Sequence, residues 1–218
     1  MTVESDGSGW SVSETTKKRL AIAPKNGYTK HVGHKDALYM EEHFMKRVEE
    51  YVRSIPDFPE EGIIFRDVTS VLQDADGLHL AINGIQEMLE GVEFDVVVGP
   101  ESRGFIFGVP IAYNMHKAFV PVRKKGKLPC ETISMEYDLE YGSAVIEMHK
   151  DSIKPGQKVV IIDDLMATGG TIEAIIKLVE SLGGEVVKIC FLMELAGLNG
   201  RDKIAGYEVG SVIVYEGK

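Results

Sequence analysis

Residues Val159 to Thr171, Val-Val-Ile-Ile-Asp-Asp-Leu-Met-Ala-Thr-Gly-Gly-Thr, constrain this chain more than any other stretch. Four consecutive β-branched residues predict a strand buried on both faces, as in a parallel sheet covered by helices. The residues from Thr171 to Glu180 then carry a helical period. The expected fold class is therefore α/β, a parallel sheet flanked by helices. In such a sheet ligands bind beyond the carboxyl ends of the strands, so the turn between this strand and its helix is a predicted binding loop. Asp163 and Asp164 there offer acceptors for a vicinal diol. Ala167, Thr168, Gly169, Gly170 and Thr171 offer backbone N–H groups and two hydroxyls at a helix N-terminus, where unpaired amides and the helix dipole favour phosphate. Acids for sugar hydroxyls beside amides for phosphate describe a ribose 5-phosphate site. A plain turn needs neither adjacent acids nor paired hydroxyls.

A second loop has the same setting. Phe94 to Val98 reads as a strand, Gly99-Pro-Glu-Ser-Arg-Gly104 as a tight turn, and residues 105–115 as a helix, which makes another anion-binding loop available. Glu101-Ser102-Arg103-Gly104 approaches the Gly-x-Ser-x-Gly elbow of serine hydrolases, but Pro100 stands where that motif needs glycine. Further along, the dense basic cluster Arg123-Lys-Lys-Gly-Lys127 precedes a stretch to Gly142 with little apolar period, which reads as one long loop.

The Asp163-to-Thr171 motif resembles the phosphoribosyl-diphosphate motif of the type I phosphoribosyltransferases, and its double Asp with Ala-Thr-Gly-Gly-Thr is most like the members that accept adenine. The resemblance covers about Tyr39 to Tyr215. It implies a type I phosphoribosyltransferase-like sheet with a small N-terminal hood at about 56–70, a mobile catalytic loop at about 123–143, and a domain spanning 39–218. Ile64, Phe65 and Arg66 would hold adenine, and Glu101, Ser102 and Arg103 would form the pyrophosphate loop, with an unusual cis peptide between Glu101 and Ser102. Arg123, Lys124 and Lys127 would also meet pyrophosphate, some of them in a neighbouring subunit's site. Glu140 and Tyr141 would close over the reacting ribose, with Arg103 as a further catalytic group. The activity implied is purine salvage: adenine and 5-phosphoribosyl 1-diphosphate giving AMP and pyrophosphate. Mg²⁺ would be carried by substrate oxygens near Asp163 and Asp164, and a homodimer is expected. Thr69-Ser70 departs from the Ser-Pro or Thr-Pro pair common in the family, which bears only on a local turn.

Two rivals stay open at this level. A 6-oxopurine presents a carbonyl where adenine presents an amino donor, so the hood's edge contacts would separate those substrates. A regulator that senses phosphoribosyl diphosphate and binds DNA would need a basic module, which the aperiodic residues 1–38 do not supply. The formal charge of -10 also opposes nucleic-acid binding.

The remaining elements follow from pattern. Met40, Phe44, Val48, Tyr51, Val52 and Ile55 predict an amphipathic helix from Tyr39 to Ile55, ended by Pro56. Asp76 is the expected cap of a second helix, with Leu78, Ile82, Ile85 and Leu89 on its inner face and Gly91 as its stop. Residues 143–148, 185–193 and 208–215 read as strands. His31 and His34 lack further metal ligands and read as solvated. At 218 residues one domain with an N-terminal extension, 1–38, is expected. No run suits a membrane span or secretory signal, and the two cysteines, Cys130 and Cys190, suit a reducing compartment, so the chain is expected to be cytoplasmic.

Overall fold

The computed structural model describes residues 46–138 and 143–217. The expected extension at 1–38, with His31 and His34, lies outside them. Strands β1 (Arg53–Pro56) and β2 (Ile64–Asp67) form a small antiparallel pair at the place expected for the hood. Two helices follow, α1 (Thr69–Leu72) and α2 (Ala75–Glu87). The main sheet is then laid down by β3 (Val96–Pro100), helix α3 (Arg103–Asn114), β4 (Ala118–Lys124), β5 (Thr132–Asp138), β6 (Ser143–His149), β7 (Lys158–Met166), helix α4 (Gly170–Ser181), β8 (Glu185–Leu195) and β9 (Val209–Tyr215).

In space the strands run β5-β6-β4-β3-β7-β8-β9. Strands β4, β3, β7, β8 and β9 are parallel, while β6 runs antiparallel to β4 and β5 antiparallel to β6 at that edge. From β3 the chain moves outward to β4, and from β7 it moves the opposite way, to β8 and β9. The order therefore reverses between β3 and β7. That switch point opens a crevice at the carboxyl ends of both strands, where the two loops singled out in the sequence emerge.

Both sheet faces are covered, which explains the uninterrupted apolar runs. On one face Val159, Ile161, Ile189 and Phe191 pack with Ile172, Ile175 and Val179 of α4. On the other, Val160, Ile162, Cys190 and Leu192 pack with Ile85 and Leu89 from α2 and its trailing turn and with Phe107 and Ile111 of α3. Strand β7 sits at the centre, flanked by β3 and β8.

Several sequence expectations change. The described part of the predicted 39–55 helix is a 3-10 turn at Val48–Tyr51 followed by β1; residues 39–45 lie outside the described residues. Pro56 disfavours a helical Ile55, and the extended backbone it imposes runs back to Arg53, where pairing with β2 begins. Val48 and Val52 are still buried. The predicted long loop after Lys127 contains β5 and belongs largely to a hairpin with β6. Ile133, Met135 and Tyr137 alternate along β5 and lean on the α4 core, a period of two that a search for helical spacing passes over. Arg123 and Lys124 end β4 and do not start a loop. Strand β7 continues through Asp163 and Asp164 to Met166, because pairing with β8 persists at Asp163, Leu165 and Met166.

The cap of α2 is Asp74, whose side chain accepts hydrogen bonds from the N–H groups of Asp76 and Gly77 at 2.9 and 3.0 Å. Its most buried line is Gly77, Ala81, Ile85 and Leu89, with Leu78 and Ile82 only partly buried. Replacing Asp74 with Ala leaves two donors of the first turn without that acceptor. Asp74→Ala is expected to lower stability by about 1 kcal/mol, read from urea unfolding, with turnover unchanged because the cap is remote from the switch point.

Candidate active site

The crevice is built from two strand-to-helix turns. After β3, the chain turns through Glu101 and Ser102 into α3; the peptide between those two residues is cis. After β7, it turns through Ala167, Thr168 and Gly169 into α4. Neither helix has a side-chain N-cap. Their first N–H groups therefore remain available to a ligand, and the two dipoles add a positive field to the same crevice. Ser102 precedes α3 with no capping bond, and among the described residues no histidine hydrogen-bonds it as the base of a hydrolase elbow would.

Two glycines permit this geometry by close approach. A Cβ on Gly104 would lie 2.7 Å from Pro100 Cδ and 3.0 Å from Asp163 Oδ1, so only glycine lets the start of α3 sit against β7. Gly169 has φ +79°, and a Cβ there would meet the Gly200 carbonyl oxygen at 2.4 Å. Gly200, in the 3-10 turn Gly200–Ile204, touches the loop in return: its own Cβ would fall 2.2 Å from the Ala167 carbonyl oxygen. The phosphate-type loop thus rests on a second stretch of bare backbone. Gly200 was not identified from the sequence.

Asp163 and Asp164 project from the last part of β7. Asp164 is 3 % exposed, and its Oδ2 lies 3.0 Å from Arg103 Nε as an ion pair without hydrogen-bond alignment. Asp163 Oδ1 accepts from the Asp164 backbone N–H at 2.8 Å. Burial raises the pKa of both; the neighbouring Asp164 charge adds to the rise at Asp163, while Arg103 opposes the rise at each. Two carboxylates are thereby held where ionisation is costly unless an electropositive ligand group or cation arrives.

The basic residues form a second cluster around Glu101. Its carboxylate accepts from Arg123 Nε at 2.8 Å and pairs with Lys127 Nζ at 3.1 Å. Burial opposes ionisation of Glu101, but the Arg123 and Lys127 bonds outweigh it and hold the pKa below the usual glutamate value. Glu147, on β6, shapes the turn carrying Lys127: its Oε1 accepts from the N–H groups of Lys127 and Leu128 at 3.0 and 3.1 Å. Burial again opposes ionisation there, and those amides again prevail. This acid escaped the sequence reading, although a glutamate amid buried positions is a usable signal. The Lys124 side chain is exposed, while its backbone N–H bonds the Glu101 carboxylate.

In the hood, Phe65 meets Phe58 edge to face with ring centroids 5.3 Å apart. Ile64 and Phe58 are 40 % and 50 % exposed, an apolar surface of the kind a flat heterocycle would cover. Arg66 donates to the Ser54 hydroxyl and lies over the Tyr215 ring, 4.0 Å from Cζ to centroid. Asp67 accepts from the Thr69 hydroxyl and N–H, bonds that lower its pKa, and the Arg103 charge contributes to the same lowering. The field of Arg103 thus reaches both Asp164 and the end of the hood. The Ser70 hydroxyl lies within donating distance of both the Tyr51 and Asp67 carbonyls, which share its one hydrogen, and accepts from the Arg53 N–H. Glu140 and Tyr141 lie outside the described residues.

Comparison with known proteins agrees with this architecture. A family model described as the phosphoribosyl transferase domain matches residues 71–217. The adenine phosphoribosyltransferase of Lachnoclostridium phytofermentans is 78 % identical over 174 residues, 80 % of this chain and 100 % of that protein. Among solved structures, the adenine phosphoribosyltransferase of Thermoanaerobacter pseudethanolicus is 54 % identical with a TM-score of 0.74, covering 77 % of this chain and 98 % of that one. The Saccharomyces cerevisiae adenine phosphoribosyltransferase, complexed with an imino-altritol bisphosphate and adenine, is 37 % identical with a TM-score of 0.71, over 81 % and 99 % of the two chains. With its switch-point crevice, paired aspartates and uncapped helix α4, this chain belongs to the phosphoribosyltransferase family.

Proposed function

We propose that this chain joins adenine to 5-phosphoribosyl 1-diphosphate, giving AMP and pyrophosphate. The observation carrying this reading is the buried Asp163–Asp164 pair beside the uncapped start of α4 at the switch point. Its many close relatives named adenine phosphoribosyltransferase support the choice of base.

Asp163 and Asp164 orient the ribose hydroxyls, and the loop from Ala167 to Thr171 receives the 5-phosphate. Ile64, Phe65 and Arg66 hold the purine. The ring nitrogen of adenine attacks the anomeric carbon as the bond to diphosphate breaks, through a transition state with oxocarbenium character. Glu101 and Ser102 frame the diphosphate; Arg103, Arg123, Lys124 and Lys127 receive its growing charge. Arg123 and Lys127 are held ready on Glu101, a carboxylate that occupies them as a diphosphate oxygen would. Glu140 takes the ring proton or steadies positive charge on the sugar, with Tyr141 closing over it. Holding two reactants in line supplies on the order of 7 to 11 kcal/mol, so much of the rate enhancement is positional.

Mg²⁺ fits this site as an ion brought by substrate. Among the described residues no group of three acidic, His or Cys side chains could hold a metal, yet two carboxylates with raised pKa line the crevice. Diphosphate and ribose oxygens near Asp163 and Asp164 would be its main ligands, and it would draw charge off the leaving group. A homodimer is supported by the exposed stripe Ile106, Val109 and Tyr113 on α3, the last of them 84 % exposed. The free thiols Cys130 and Cys190 fit a cytoplasmic setting.

The direct experiment supplies protein, 5-phosphoribosyl 1-diphosphate and Mg²⁺ with adenine, hypoxanthine, guanine or xanthine and identifies the nucleotide. AMP from adenine alone is expected; turnover of an oxopurine would overturn the hood assignment. Asp164→Asn is expected to fold and to lose about hundredfold in kcat, and wild-type turnover in that variant would remove the diol argument. Glu140→Gln should lower kcat more than it raises KM; a change in KM alone makes it a binding residue. Because the aspartate pKa values are raised, protons are retained to higher pH than usual and the ionised pair is lost as pH falls. The acid limb of kcat/KM should therefore lie above the ordinary aspartate value of 3.8.

A further inference from the structure

The carboxyl end of β8 carries a buried acid that the reaction does not use. Glu194 is 4 % exposed and pairs across the sheet with Met166, the last residue of β7 before the phosphate-type loop. Arg201 grips it with two parallel bonds, Nε to Oε1 and Nη2 to Oε2, both 2.7 Å. Ser211 of β9 donates to Oε2 at 2.7 Å, and Arg201 Nη1 donates to the Val209 carbonyl at 3.2 Å. The Arg201 fork holds the Glu194 pKa down, with burial opposing it and Ser211 assisting.

This fork is one residue from Gly200, the bare backbone on which Ala167 and Gly169 rest. Further along the same turn Ile204 is buried in the core, so its far end is anchored independently. The near end, which supports the loop, is tied to the sheet through Arg201. A planar bidentate pair fixes direction as well as distance, which a single lysine contact does not. The four hydrogen bonds on Arg201 and Glu194 all lead to β8 and β9, the strands beyond β7 on the side away from β3.

We propose that Arg201 and Glu194 are positioning residues for 5-phosphate binding: their fork holds Gly200 against Ala167 and Gly169 and so keeps the amides at the start of α4 aimed at the phosphate. The inference rests on reading 167–171 as the 5-phosphate loop. Neither residue touches substrate. Loosening the fork should therefore weaken capture of the phosphorylated substrate without altering recognition of the base, which is held by the hood.

The test measures steady-state constants for Arg201→Met, Arg201→Lys and the double variant Arg201→Met with Glu194→Leu, beside Thr171→Ala as a direct probe of the loop. The double variant removes the buried charge with its partner, a replacement that commonly preserves folding. Arg201→Met and the double variant are expected to raise KM for 5-phosphoribosyl 1-diphosphate by about tenfold, with kcat and KM for adenine within about twofold. Arg201→Lys should recover part of that loss. An unchanged diphosphate KM in folded variants, or equal rises in both KM values, overturns the proposal. If Thr171→Ala raises the diphosphate KM while the fork variants do not, the positioning role alone is wrong. If Thr171→Ala has no effect either, the assignment of the loop itself falls.

Discussion

Everything at the crevice depends on carrying two carboxylates out of the apolar centre of the sheet. Strand β7 is covered on both faces up to Ile162, and the next two residues are acids in the same strand. Burial disfavours their charge, so the fold surrounds them with compensation: the Arg103 guanidinium, the Asp164 N–H and the start of α3 brought close by Gly104. The charges are incompletely satisfied from within the protein. Asp164 Oδ2 in particular has no hydrogen-bond partner, so an electropositive group would be drawn to it.

The opposite bank follows the same logic with the signs reversed. Arg123 and Lys127 are positive groups gathered at one carboxylate, and alone they would repel each other. Glu101 pairs with both, and Glu147 fixes the turn that presents Lys127. Glu101, Arg123 and Lys127 therefore have partners suited to the ligand-free protein. Exchange of those partners for substrate groups costs less than ordering free side chains would.

Much of this was legible in the chain because local chemistry dictated it. Four β-branched residues before Asp163 make a central strand, and Ala-Thr-Gly-Gly-Thr makes a loop into a helix; neither depends on distant contacts. The Glu101–Ser102 turn was legible by resemblance, down to its cis peptide. What escaped required partners far away in sequence. Strand β1 took residues with a helical period because Pro56 and pairing with β2 prevailed, and β5 was hidden by a search for the wrong period. Gly200 and Glu147 act on loops thirty or so and twenty residues away, through backbone contact and amide bonds that no local pattern announces.

The stacking of Arg66 on Tyr215 links the first strands of the described fold to the last. Tyr215 ends β9, the edge strand of the main sheet, while Arg66 belongs to the separate β1–β2 pair. The small pair is therefore seated only where β9 has closed the far edge of the sheet. Loosening that edge, as a change at Tyr215 would, releases the strand that presents Ile64 and Phe65.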